Sequence, residues 1–302
     1  MTTTDVLDPS PPQLPGEPAA GRRSLRGALR GFFGNRMGVV GLAVIVLMLL
    51  FSFVGPLLYP TDQVHPNLLL VTRHPGGQYP LGTDAVGFNV LGRLMVAGQS
   101  SLEVGLAAAA IATIVGTLWG AIAGFAGGWV DSVMMRIVDA LLAIPALLLV
   151  LLLTTIVTPS IIMVIFVLGL ISWLITARLV RGQVLVLKSL EYVQAARQFG
   201  EPGWQIVVRH LVRNVIRTVV VQATFEVANA ILLFAALSFL GLGPPPPAAN
   251  WGGMLNDGLN YVFDGYWWLI YPAGVCIVVT VVAFNLVGDA IRNSLEVRLK
   301  SK

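Results

Sequence analysis

Residues 181–214 read RGQVLVLKSLEYVQAARQFGEPGWQIVVRHLVRN, and long apolar stretches flank them on both sides. A chain that needed only to cross lipid would join such stretches with a short turn. Here the joint is long enough for two short helices and carries Arg181, Lys188, Arg197, Arg209 and Arg213. A polar handle held at a membrane surface is what a membrane channel offers to a soluble machine.

Working outward, the 302 residues are 56% hydrophobic and only 11% charged, with a mean hydropathy of +0.81. A soluble domain carries charge at roughly a quarter of its positions, so the chain is read as a polytopic membrane protein. A membrane helix needs about 20 mostly apolar residues. Six stretches qualify, at 39–58, 102–126, 137–158, 161–180, 215–241 and 269–290. The third and fourth are separated only by the turn Thr158-Pro159-Ser160. The fold class is therefore an all-α membrane protein with six transmembrane helices.

Cations mark the cytoplasmic side of short loops. All but two of the 19 Lys and Arg residues fall in the N-terminal segment, the loop after the second span, the 181–214 stretch with its flanks, and the C-terminus. Only Arg73 and Arg93 fall in the alternate loops. Both termini are thus expected in the cytoplasm, with residues 60–98 and 243–268 outside. The isoelectric point near 9.5 follows from this topology and gives no support to nucleic-acid binding. Residues 1–36 read as a tail, Pro-rich and then basic, whose first part has too few apolar groups to form a core. The six-helix body is 37–302. The single cysteine, Cys276, lies within the last span and has no intramolecular partner.

Within the joint, Leu187–Phe199 is expected to be helical, with Gly200 in the left-handed position that ends it and Pro202 barring continuation. A second short helix starts near Pro202. Ala195 and Ala196 are small enough to let another surface approach the backbone, and Glu191, Gln194 and Arg197 surround them. This pattern suits docking in a groove on a partner; the alternative is a solvated hairpin with no partner.

The run Glu191-Tyr192-Val193-Gln194-Ala195-Ala196-Arg197, then Gly200, Arg209-His210 and Asn214, resembles the EAA loop of ABC-type importer permeases. It is most similar to the C-type permease subunits of the dipeptide/oligopeptide/nickel family. Four further stretches resemble the same family: Tyr79-Pro80-Leu81-Gly82-Thr83-Asp84 with Gly87, Leu91 and Arg93; Gly127-Gly128-Trp129-Val130-Asp131 with Met135-Arg136, Asp139 and Pro145; Leu237 to Gly243 with Trp251-Gly252 and Met254-Leu255; and Phe284-Asn285-Leu286 with Gly288-Asp289-Ala290 and Arg292. The likeness covers nearly everything from Asn35 onward. The chain departs from the family pattern at Gln194, Arg213, Phe88-Asn89, Phe234 and Glu296-Val297, where the family usually has Glu, Pro, Arg-Asp, an acid and Asp-Pro.

This resemblance implies a type I ABC importer permease fold in the inner membrane of a prokaryote. It implies a second homologous permease as partner, two ATP-binding cassette subunits and an external substrate-binding protein. ATP and Mg would be held by the partner subunits, and this chain carries no GxxxxGK[ST] phosphate cradle of its own. Coupling to the ATPases would run through Glu191, Gln194, Ala195, Ala196, Arg197, Gly200, Arg209 and His210. Docking of the binding protein would involve Leu81, Gly82, Thr83, Asp84, Trp251 and Gly252. The implied cargo is small peptides, with nickel or another small solute as the alternative.

Polar groups inside spans are costly and tend to be functional or paired. Gln222, Glu226 and Asn229 share one face of the fifth span. They either line the translocation path or, for Glu226, meet a neighbouring helix. Arg136 and Asp139, three apart, read as a local ion pair. Gly105, Ala107, Ala110, Gly116, Gly120 and Gly124 predict tight packing of the second span. Tyr266, Trp267 and Trp268 suit an interfacial aromatic belt or a binding surface. No catalytic residue and no metal site is expected: His65, His74 and His210 share no helix face, and neither HExxH nor GxSxG occurs. An ATP-independent secondary transporter is the rival class, but it has no use for an EAA-like loop.

Overall fold

The computed structural model describes residues 31–156, 160–206 and 213–296. The N-terminal tail to residue 30, the Thr158-Pro159 turn, and Arg209 and His210 lie outside the described residues.

The elements are helices throughout: α1 (Arg36–Leu58), α2 (Val90–Ala126), α3 (Gly128–Leu142), α4 (Ala146–Ile156), α5 (Ile161–Lys188), α6 (Glu191–Gln198), α7 (Gly203–Ile206), α8 (Arg213–Phe239), α9 (Trp251–Leu259) and α10 (Tyr271–Glu296). Among the described residues there are two isolated β-bridges and no strand. Short polar side chains start the helices by accepting from orphan N–H groups. Asn35 accepts from Met37 and Gly38, Asn89 from Gly92, Ser160 from Met163 and Asn250 from Gly253.

Five helices are long and apolar enough to cross a membrane, and α3 with α4 makes a sixth only as a broken pair bent by 84°. The straight span placed at 137–158 is therefore corrected. Pro145 has no N–H to give and pushes Ile144 out of helical geometry, so the chain turns between Leu142 and Ala146. The second span also differs: α2 begins at Val90, not near 102, because the Asn89 cap precedes a run that contains no proline. Residues 90–98 thus leave the 60–98 loop. Likewise α5 runs on to Lys188, so the first eight residues of the 181–214 joint prolong a span. The helix expected over Leu187–Phe199 is interrupted at Ser189-Leu190 and resumes at Glu191.

The centre of the bundle is the contact of α2 with α5. A Cβ placed on Gly116 would lie 2.7 Å from the Trp173 carbonyl oxygen and from Thr176 Cβ; on Gly120 it would strike the Ala177 carbonyl; on Gly124 it would lie 2.9 Å from Val184 Cβ. Small residues let the two backbones approach this closely. Gly105 does the same against Ile231 of α8, whereas Ala107 is half-buried and Ala110 exposed. On the far side, α1 lies along α10, with Gly38 against Ala290 and Gly41 against the Ala283 carbonyl. Rows such as Ile114, Leu118 and Ile122 on α2 remain exposed, as lipid- or partner-facing surface would be.

Gly120→Val should therefore separate α2 from α5 at a cost of about 1–3 kcal/mol, the usual overpacking penalty. Gly34→Ala, whose new methyl meets nothing within 4 Å, should be silent. Thermal unfolding of both variants in detergent, followed by size-exclusion fluorescence, checks this.

Candidate functional site

Residues 189–206 of the joint fold as a helical hairpin. Residue Ser189 ends α5, and the Leu190 carbonyl accepts from the N–H groups of Val193 and Gln194 to open α6. At the other end Gly200 adopts φ +79°, and the Glu201 N–H bonds the Ala196 carbonyl at 3.0 Å. That is the Schellman closure of a helix end. The short helices α6 and α7 pack together with Val193 and Ile206 buried. Tyr192 accepts from Asn214 Nδ2 at 3.1 Å, tying α6 to the start of α8. Glu191 and Gln194 are exposed, and Ala195 and Ala196 are half-buried. The tip is Phe199, 91% exposed. Its prominence among the described residues of the hairpin was not visible in the sequence, where it reads as the last apolar residue of a helix.

The hairpin is anchored to the bundle through the α2–α3 corner. Lys188 Nζ donates to the Phe125 carbonyl at 2.7 Å, a cation placed at the C-terminal end of α2. Gly203 of α7 sits where a Cβ would be 3.0 Å from the Phe125 ring. Arg181 grips Asp131 of α3 with two bonds, Nε to Oδ1 at 2.5 Å and Nη2 to Oδ2 at 2.7 Å. Asp139 pairs with Arg178 at 2.5 Å across the two helices. This replaces the local pair expected with Arg136.

Inside the bundle, Glu226 is 1% exposed. Its Oε1 accepts from Gln222 Nε2 at 2.8 Å and from Thr176 Oγ1, on α5, at 3.2 Å. The structure brings Gln222 and Glu226 together and adds Thr176, while Asn229 is exposed. Nothing in the spacing of α8 alone could reveal Thr176, which lies 50 residues away.

At the opposite end from the hairpin, the 60–89 segment folds over the mouth of the bundle. Thr83 is fully buried; its Oγ1 accepts from the Arg73 N–H at 2.8 Å and donates to the Leu70 carbonyl. Its own carbonyl accepts from Trp268 Nε1 at 3.2 Å. Gly82, at φ +70°, passes against the Arg73 carbonyl and the Trp268 ring. Trp251 is also fully buried, with Nε1 donating to the Leu94 carbonyl at 3.1 Å, and Gly252 packs on the Ala235 backbone. Of the residues named for docking, Leu81 and Asp84 alone are half-exposed. Trp268 is buried as well and stacks edge-on against Tyr266 at 5.2 Å, leaving Trp267 as the exposed member of the aromatic trio. Burial pushes the Asp84 carboxyl above its usual range, against the pull of the Phe88 and Val86 N–H groups and of Arg93.

Residues 116–301, which include the corner, the hairpin and the last two long helices, match the family of binding-protein-dependent transport system inner membrane components. The chain belongs to this family and is a multi-pass inner-membrane permease of the ABC-importer type. Residues 24–73 match the N-terminal TM domain of oligopeptide transport permease C. Among individual relatives, the oligopeptide transport system permease protein of Bacillus subtilis is 39% identical over 90% of this chain and 89% of its own length. The Escherichia coli oligopeptide permease protein is 41% identical over 91% and 92%. A probable D,D-dipeptide transport system permease protein of the same species is 38% identical over 89% and 90%. These relatives are all named as transport system permease proteins.

The corner yields a prediction. Asp131→Ala and Arg181→Ala should each destabilise the solubilised protein, and the double variant should fall short of their sum by about 0.5–3 kcal/mol. A double-mutant cycle on thermal unfolding reads this coupling.

Proposed function

We propose that this chain forms half of the translocation pathway of an ATP-driven importer of small peptides. A second, homologous permease forms the other half. Two ATP-binding cassette subunits hydrolyse MgATP, and a substrate-binding protein delivers cargo from outside. Both termini and the hairpin face the cytoplasm, as the placement of the cations favours. The peptide reading rests on the relatives, which are named as oligopeptide and D,D-dipeptide transport permeases.

The observation that carries the proposal is the hairpin itself. Helix α6 is closed at Gly200, offers the half-buried Ala195-Ala196 pair flanked by Glu191 and Gln194, and is fastened to α2 through Lys188 and Gly203. Such a unit converts a push from a docked ATPase into displacement of a span. Arg197, Arg209 and His210 belong to the same coupling surface in this reading. Gln222 and Glu226, held by Thr176, set the packing of α5 on α8 beside the path, with Asn229 on the exposed face next to them. At the outer end, the buried Gly82, Thr83, Trp251 and Gly252 shape the platform on which the binding protein lands through Leu81, Asp84 and their neighbours.

Ala196→Trp blocks close approach to the α6 backbone, and Gly200→Leu forces a β-carbon side chain into left-handed geometry. Both should insert into the membrane normally, yet abolish ATP-dependent uptake of a labelled tripeptide by proteoliposomes reconstituted with the importer's subunits. Normal uptake by both variants would sink the coupling role. Purification of the tagged native complex should bring down P-loop ATPases and a related permease; the chain alone would favour a secondary transporter.

A further inference from the structure

Two adjoining cavities, of about 390 and 630 Å³, open at the end of the bundle opposite the hairpin. They share Arg93, Pro246, Met254, Asn256 and Asp257 as walls. Arg93 projects from the first turns of α2 and is only 8% exposed. Its guanidinium carbon stands 4.6 Å from the centre of the Phe88 ring. Its Nε is 3.8 Å from Asp84 Oδ2, close enough for charge attraction but too long for a hydrogen bond. Its Nη1 is buried and has no hydrogen-bond partner. A buried guanidinium donor left unmet is unfavourable unless something outside the chain completes it.

Two further groups around these cavities are also incomplete. Ser238 Oγ, on the wall of the smaller cavity, is buried without a partner. Asp257, exposed at the rim of both, takes part in no hydrogen bond or ion pair among the described residues. Asp84 is different: its Oδ1 already accepts from the N–H groups of Val86 and Phe88 at 3.0 and 2.8 Å. It balances the Arg93 charge. The cluster then keeps one carboxylate in excess, at Asp257, next to one inner donor that lacks an acceptor.

A simple anion fails this arrangement, because Asp257 repels it. A simple cation fails it too, because Arg93 Nη1 stays unmet. A group that carries a positive charge and, a few bonds on, a carbonyl oxygen satisfies both. We propose that this vestibule binds the free amino end of a peptide: the ammonium lies on Asp257, the first carbonyl accepts from Arg93 Nη1, and Ser238 meets the following peptide group. The inference rests on the peptide-importer reading and deepens it by giving the cargo a direction, amino end first, at the entrance to the path.

The test uses the whole importer in nanodiscs, without binding protein, titrated into the millimolar range with tri-alanine bearing a C-terminal fluorophore. Its N-acetylated form serves as the comparison, and anisotropy is the readout. The wild-type complex should bind the free-amino peptide about two- to fivefold more tightly than the acetylated one, the usual worth of an ion pair at an exposed carboxylate. Asp257→Asn should remove that preference and leave binding of the acetylated peptide unchanged; Asp257→Glu should restore it. Arg93→Gln should weaken both peptides. Because Asp257 is exposed at a rim, its variants remain informative even if Arg93→Gln fails to assemble. Equal binding of the two peptides to wild type, no binding of either, or unchanged preference in Asp257→Asn each overturns the proposal. The same nanodiscs, with binding protein and ATP added, report peptide-stimulated ATP hydrolysis. Its absence in wild type would instead bring down the importer reading.

Discussion

The approach of α2 to α5 is the constraint on which the rest of the molecule depends. Lipid supplies no hydrophobic drive for two apolar helices to meet, so the gain comes from van der Waals contact and from whatever polar groups the contact buries. Gly116, Gly120 and Gly124 put no side-chain atom of α2 where its backbone passes nearest to Trp173, Ala177 and Val184. Once they are in register, Thr176 falls opposite Glu226, Arg181 opposite Asp131 and Lys188 opposite the end of α2. A shift of one residue would turn each of these donors away from its acceptor. The polar contacts thus report register, and the glycines permit it.

The loop end follows a different logic. There, no long helix covers the mouth, and the 60–89 segment must satisfy its own backbone. Thr83 does so by bonding in two directions at once, and Asn89 links cap and loop by donating to the Tyr59 hydroxyl at 2.8 Å. The indole N–H groups of Trp251 and Trp268 each end on a main-chain carbonyl. Large aromatics with one polar atom are suited to this task, because they fill volume and close a hydrogen bond together.

Much of this was legible in the residues. Apolar length gave the long helices, and Gly200 with Pro202 gave the end of α6, which the structure reproduces at φ +79°. Small-residue spacing on α2 likewise carried local information that survived folding at Gly105, Gly116, Gly120 and Gly124. What could not be read were contacts between distant segments. The partner of Asp139 is Arg178, 39 residues on, not Arg136 three residues away, because α3 lies against α5 at that depth. Trp251 and Thr83 look like surface residues of polar loops; only the closing of one loop over the other buries them. The start of α2 was set too late because hydropathy marks where lipid begins, while hydrogen bonding lets a helix continue beyond it.

Helix α2 is unbroken from Val90 to Ala126. At 1.5 Å per residue, Phe125 and Arg93 stand about 48 Å apart on one stiff rod. Phe125 touches α7 and Lys188 at one end, and Arg93 lines the vestibule at the other. A tilt of about 5° pivoting at the Phe125 end would carry the Arg93 guanidinium roughly 4 Å sideways over that length. That is more than the reach of a hydrogen bond. Because the rod has little internal give, movement at the hairpin and grip at the vestibule become the two ends of a single crank, with no relay of intermediate side chains needed between them.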